Sequence, residues 1–439
     1  MSENAKKSIL QPNISSRHLS ALLFAAFAAC LMIFVSIGQE FVLTVFLKTP
    51  LNEQGQVGGS LQAVREVVVL FSMILGGVLA DKFSRRLVFS MGYTLLAIGF
   101  ALFPFATNAT QLSFFYAISG VGAAFITGML TTVLADYVVP ESRGKFTGLQ
   151  AVLNTLGAVG ILLGIKRLPK FFADGGMEIG EAGKITYFIV AGLAVFVAVI
   201  LWFGLFKGKP SQISEKKGFL TIIKEGILEG RKPGVALAYF AGFISRGDLV
   251  VVGVFLGLWI NKVAIERGMS PADATAKVGL ILSIGAFGQL LFGFLIGYLV
   301  DLIGKKWSRV DSLSLTAFIG VIAYGAMFFI TDPLGNGLMY VMVLLAIAQI
   351  SGIIASQVFI AQQAREEIRG SVIGFFGVCG AFSQIILSAV GGILFDKLSP
   401  NSPFVLVALL NLVLLILAIT LRPYIKNDAT QESEVVISH

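Results

Sequence analysis

The sequence predicts an all-α membrane protein of twelve transmembrane helices, built as two six-helix bundles related by a pseudo-two-fold axis. Three observations predict it. Charged residues are 13% of the 439 and hydrophobic residues 56%, whereas soluble domains carry about 25% charged residues; mean hydropathy is +0.87. Twelve apolar stretches each approach the ~20 residues that cross the hydrocarbon layer. Finally, Gly77-Val-Leu-Ala-Asp81-Lys-Phe-Ser-Arg85-Arg86 is echoed 220 positions later by Gly297-Tyr-Leu-Val-Asp301-Leu-Ile-Gly304-Lys305-Lys306. A glycine, an acid four residues on and then paired cations, each time at the end of an apolar run, indicate a duplicated unit, the usual construction of transporters that rock about a central site.

The stretches fall at 19–47, 58–81, 86–106, 110–137, 144–165, 185–207, 235–261, 278–300, 310–330, 337–361, 370–395 and 402–421, taken below as spans 1 to 12. Residues 1–18 are polar and the apolar run after them is too long for a signal-peptide core, so it stays as span 1. An even count puts both termini on one side. With that side cytoplasmic, its segments hold 22 of the 33 lysines and arginines. The other side holds nine, Lys48, Lys166, Arg167, Lys170, Lys184, Lys262, Arg267, Lys277 and Lys397, while Arg65 and Arg246 fall within spans. That bias orients the chain with both termini inside and accounts for the net charge of +8 without nucleic acid. The long connection divides the chain into a bundle at 1–207, a linker at 208–233, a second bundle at 234–426 and a disordered tail at 427–439. In the linker, Phe219, Ile222, Ile223 and Ile227 share one helical face opposite lysines and glutamates, which suits a helix lying on the inner leaflet.

The loop after span 2, its echo after span 8, and the pair Arg143-Gly144-Lys-Phe-Thr-Gly148 and Arg369-Gly370-Ser-Val-Ile-Gly374 resemble the major facilitator superfamily over nearly the whole chain. The resemblance implies secondary transport by alternating access. It also implies a charge latch made by Gly77, Asp81, Arg85, Arg86, Asp136 and Arg143, with Asp301 and Arg369 as counterparts. The physics is independent of the resemblance. Gly77 would let a neighbouring helix pass closely, and Asp81 at a helix C-terminus opposes the helix dipole unless cations offset it. The chain departs from the family pattern at Ser84, where glycine is preferred, and at Lys82. Tyr116 stands where many proton-coupled members carry arginine, and Ile161 where drug antiporters carry proline.

Ionisable groups within spans are costly and mark function by default. Arg246 and Asp248 lie near the middle of span 7 and, two residues apart, face opposite sides of it. Glu40 in span 1, after Gln39, sits in a similar context. Desolvated carboxyls hold protons at neutral pH, as proton coupling requires; the alternative is a structural ion pair between helices, and a pair of Glu40 with Arg65 or Arg246 would make a switchable contact across the outer gate. Arg65 could equally snorkel to the headgroups. Gln349, Gln357 and Asn154 complete the candidate cavity. Cys30, Cys379, His18 and His439 offer neither a disulfide framework nor a metal set, and no nucleophile with a base points to an enzyme. The expectation is a monomeric carrier of a bacterial inner membrane, with no cofactor and no nucleic-acid partner, moving a small-molecule substrate across the lipid bilayer with a proton as the coupling ion. An uncoupled facilitator and a non-transporting receptor or scaffold are the rivals.

Overall fold

The structure is a computed structural model. It describes residues 9–207, 219–306 and 308–425, apart from the side chains of Asp81, Phe219, Leu220, Asp301, Lys305, Lys306 and Glu366. The expected tail at 427–439 and the first part of the linker lie outside the described residues. Among those described, 12 helices are long and apolar enough to cross a membrane. They are Ser16–Phe46, Gln54–Ala80, Arg85–Phe105, Ala109–Tyr137, Pro140–Asp174 and Ile179–Gly204, then Pro233–Glu266, Pro271–Gly304, Arg309–Phe329, Asn336–Gln363, Arg369–Lys397 and Ser402–Tyr424. Each is the counterpart of the span predicted in the same place.

The chain groups into two compact units. Unit 1 comprises Met1–Thr49, Val64–Glu215 and Pro271–Gly279; unit 2 comprises Pro50–Ala63, Lys216–Ser270 and Leu280–His439. The start of span 2 thus groups with unit 2 and the start of span 8 with unit 1, an exchange that hydropathy does not encode.

Aromatic packing fills both cores. In unit 1, Phe89, Tyr93, Phe100, Phe103 and Tyr116 are fully buried, and Phe103 stacks on Tyr116 with centroids 5.0 Å apart. In unit 2, Phe255 stacks on Phe395 at 5.8 Å. Large apolar side chains such as Phe71, Leu291 and Phe294 are exposed, as suits a surface solvated by acyl chains.

Spans 1 and 7 each contain a π-helical turn, and span 1 is also interrupted at residues 29–30 and at Gly38. Span 1 runs through Ser16–Ala28, Leu31–Ile37 and Gln39–Phe41 into a π-helical turn at Val42–Phe46. Span 7 runs from Pro233–Val250 into a π-helical turn at Val251–Leu256 before resuming at Gly257–Glu266. Each π turn follows the buried acid, Glu40 or Asp248, by two or three residues, and such turns often occur at functional positions. In span 1, hydroxyls from neighbouring helices cover carbonyls near the breaks. Tyr93 donates to Ala25 O at 2.7 Å, Tyr116 to Val35 O at 3.2 Å and Tyr187 to Gly38 O at 2.9 Å.

The linker helix Phe219–Glu229 is held to unit 2. Tyr239 donates to Gly226 O at 3.0 Å, and Glu229, only 3% exposed, accepts from Arg365 through both oxygens at 3.0 and 2.7 Å and pairs with Lys232.

Candidate functional site

Glu40 sits in unit 1 with no arginine beside it. Its ion partner is Lys166, and both side chains are only 1% exposed. The expected pairing with Arg65 or Arg246 is therefore corrected. Lys166 also donates to Ile37 O at 2.6 Å, a carbonyl at a break in span 1. Hydropathy ends span 5 at residue 165 and so leaves Lys166 in an outer loop. The helix Arg143–Leu163 instead gives way at Gly164 to a 3₁₀ turn, Ile165–Arg167, that keeps the lysine inside the fold. The available signal was a cation immediately after an apolar run with a candidate buried acid elsewhere. Gln39 beside Glu40 is 1% exposed, and neither polar atom of its carboxamide has a hydrogen-bond partner.

Arg65 does not reach for headgroups. It is buried and pairs with its neighbour Glu66 at 2.6 Å. Asn154 is half-buried.

In unit 2, Arg246 and Asp248 take opposite sides of span 7, as their spacing requires. Arg246 is exposed, and its aliphatic stem lies against Gly380. Asp248 is buried, and its Oδ1 has no hydrogen-bond partner. Gln349 is buried and accepts from Gln289 Nε2 at 2.8 Å, a tie between spans 10 and 8, whereas Gln357 is exposed. The two glutamines therefore do not form one polar face.

The loop motifs resolve into charge pairs and helix caps. Arg85 Nε meets Asp136 Oδ2 at 2.8 Å and its guanidinium donates to Ala80 O at 3.2 Å. Arg143 donates to Ala135 O at 2.7 Å and Val138 O at 3.1 Å, covering carbonyls left unpaired where span 4 ends. Arg86 lies over the Trp202 ring at 4.5 Å and donates to its carbonyl at 2.9 Å. Arg369 is exposed. The side chains of Asp81 and Asp301 lie outside the described residues. Gly77 does not mark a close helix approach, since nothing lies within 4 Å of a Cβ placed there.

The serine at position 84 has a local cause. Its Oγ accepts from Leu87 N at 3.1 Å and caps span 3. Ser308 does the same for span 9, accepting from Val310 N at 3.0 Å. The following arginine in each case donates to the carbonyl just before the motif acid: Arg85 to Ala80, and Arg309 to Val300 at 3.3 Å. The 220-residue offset of the two motifs aligns Arg85 with Lys305, whereas the bonding aligns it with Arg309.

Two further contacts lie at the opposite helix ends. In unit 2, Asp396 accepts from the Gly55 and Gln56 amides at 3.0 and 2.6 Å, seating a carboxylate on the N-terminus of span 2. In unit 1, Lys170 pairs with Asp273. Neither stood out in the sequence, because both lie at polar ends of long apolar runs.

The family model of the Major Facilitator Superfamily matches residues 22–274 and 238–436. The chain belongs to the major facilitator superfamily. It is a transporter and not an enzyme, an integral multi-pass protein of the membrane. This superfamily member is 23% identical over 407 residues to the magnetosome protein MamH of Paramagnetospirillum magneticum, covering 91% of this chain and 90% of that protein. It is 24% identical to multidrug resistance protein 2 of Bacillus subtilis, covering 88% and 91%. Among solved structures, the nucleoside transporter NupG shares its fold with a TM-score of 0.73 at 15% identity, covering 92% of this chain and 99% of that one.

Proposed function

We propose that this superfamily member is a proton-coupled secondary transporter that moves a small organic solute across a bacterial inner membrane by alternating access, with both termini in the cytoplasm. The observation that carries the coupling is the Glu40–Lys166 pair, two opposite charges removed from water beside a broken stretch of span 1. A proton added to Glu40 cancels its charge, releases Lys166 from it and leaves the ammonium held by Ile37 O alone. Loss of that proton restores the ion pair. Such a pair has two charge states with different bonding, which is the minimum that a coupling device needs. The cation bias between the two sides of the membrane supports the orientation.

Arg246, exposed near the middle of span 7, offers a solute a hydrogen-bond donor and a positive charge, while Glu40 and Asp248 suit a cation equally, so the solute's charge is left open. The relatives named for nucleosides and for drug resistance set the first solutes to try. Uptake of uridine and of ethidium into proteoliposomes is expected to rise above equilibrium when a pH gradient is imposed, for at least one of the two. Uptake indifferent to the gradient would favour the uncoupled facilitator, with Glu40–Lys166 as a structural tie.

A further inference from the structure

We infer that a cavity within unit 2, beside Asp248, binds one monovalent metal cation. The cavity has a volume of about 20 Å³, room for one water-sized sphere, so an ion would enter without its hydration shell. Its wall is built from spans 7, 9, 10 and 12, and its polar lining is Ser245, Asp248, Thr316, Tyr324 and Asn411.

The chemistry of that lining is nearly all acceptor. Thr316 donates its hydroxyl hydrogen to Leu313 O at 2.9 Å. Asn411 donates from Nδ2 to Val407 O at 2.9 Å, and its carboxamide lies over Gly320, where a side chain would collide with Oδ1. Ser245 is bonded to the Ser356 hydroxyl at 3.1 Å. With their hydrogens directed to other groups, these side chains have lone pairs left to present. Asp248 Oδ1 has no hydrogen-bond partner, and the carboxylate interacts with the Tyr324 hydroxyl beside it.

Charge selects the occupant. The lining holds one carboxylate and no cation; Arg246, two residues earlier, attracts that carboxylate electrostatically, but its stem lies against Gly380 and it does not line the cavity. A single negative charge in a low-dielectric site is matched by a single positive one. Calcium and magnesium favour several carboxylates or retained waters, and softer metals favour nitrogen or sulfur. One carboxylate with neutral oxygens from hydroxyl, phenol and carboxamide groups suits an alkali-metal ion. The inference goes beyond the proton reading of Glu40, which concerns unit 1.

The test is thermal unfolding of the full-length protein in lipid nanodiscs, titrated with NaCl, KCl or choline chloride at constant ionic strength and pH. The expected result is a saturable rise in Tm with sodium or potassium and none with choline. Asp248→Asn should abolish the rise. Should that variant fail to assemble, Asn411→Ala and Thr316→Val keep the carboxylate and are each expected to weaken the ion at least tenfold. A Tm that follows pH but neither metal salt would mean that Asp248 holds only a proton. That result would overturn the inference, as would equal shifts with choline or an unchanged response in Asn411→Ala and Thr316→Val. Uptake is not measured, so either outcome leaves the proton reading of Glu40 standing.

Discussion

Glu40 and Lys166 are the residues on which the functional reading turns, and their energetics are asymmetric. Removing two charges from water is expensive, and their mutual attraction plus the bond to Ile37 O must offset that cost. Deleting one partner leaves the other charged and unpaired in the interior. Lys166→Met is therefore expected to destabilise the protein by about 3–5 kcal/mol, measured by denaturation in a uniform detergent. Adding Glu40→Gln should recover most of that loss, because no orphaned charge then remains. A double variant as unstable as the single one would show that the lysine acts through packing. Glu40 was visible in the sequence as an acid within a long apolar run. Lys166 was not, because hydropathy has no means of telling a loop cation from one that a 3₁₀ turn folds back inside.

At the scale of elements, the twelve spans and their order were legible because each is an apolar run of membrane length. The breaks were not. Glycine is scattered through most spans, and nothing local distinguishes Gly38, where span 1 is interrupted, from Gly77, where span 2 continues. The carbonyls near the breaks in span 1 are covered by Tyr93, Tyr116 and Tyr187 from other helices, so the break depends on tertiary partners. The linker helix is legible as amphipathic, but its anchor is not. The Arg365 guanidinium, hydrogen-bonded to both oxygens of Glu229, holds that carboxyl below the usual carboxylate range, with Lys232 adding to the effect. Because the folded value is depressed, this contribution is fully present above the ordinary carboxylate range and is lost as pH falls through the lowered value. Amide exchange across 219–229 is accordingly expected to rise in Arg365→Ala at pH 7, and in the native protein only on acidification. Protection that is unchanged in Arg365→Ala would show that the apolar face alone anchors the helix.

For the whole molecule, the repeat seen in two short loops extends to bonding detail within each unit. Ser84 and Ser308 cap the following helices, Arg85 and Arg309 reach the carbonyl before the motif acid, and a π turn follows Glu40 as another follows Asp248. Duplication was legible because the loops must keep their charges at the membrane surface. The match of Arg85 to Arg309 was hidden by four intervening positions of different sequence. The units differ at their buried acids: unit 1 gives Glu40 a lysine, whereas unit 2 sets Asp248 among neutral oxygens. Whether Glu40 carries the coupling proton is decided by comparing two modes of transport in the Glu40→Gln variant. In proteoliposomes, the variant is expected to exchange labelled solute for unlabelled solute as the native protein does, yet to stop at equilibrium when a pH gradient is applied. Gradient-driven accumulation equal to that of the native protein would contradict the claim.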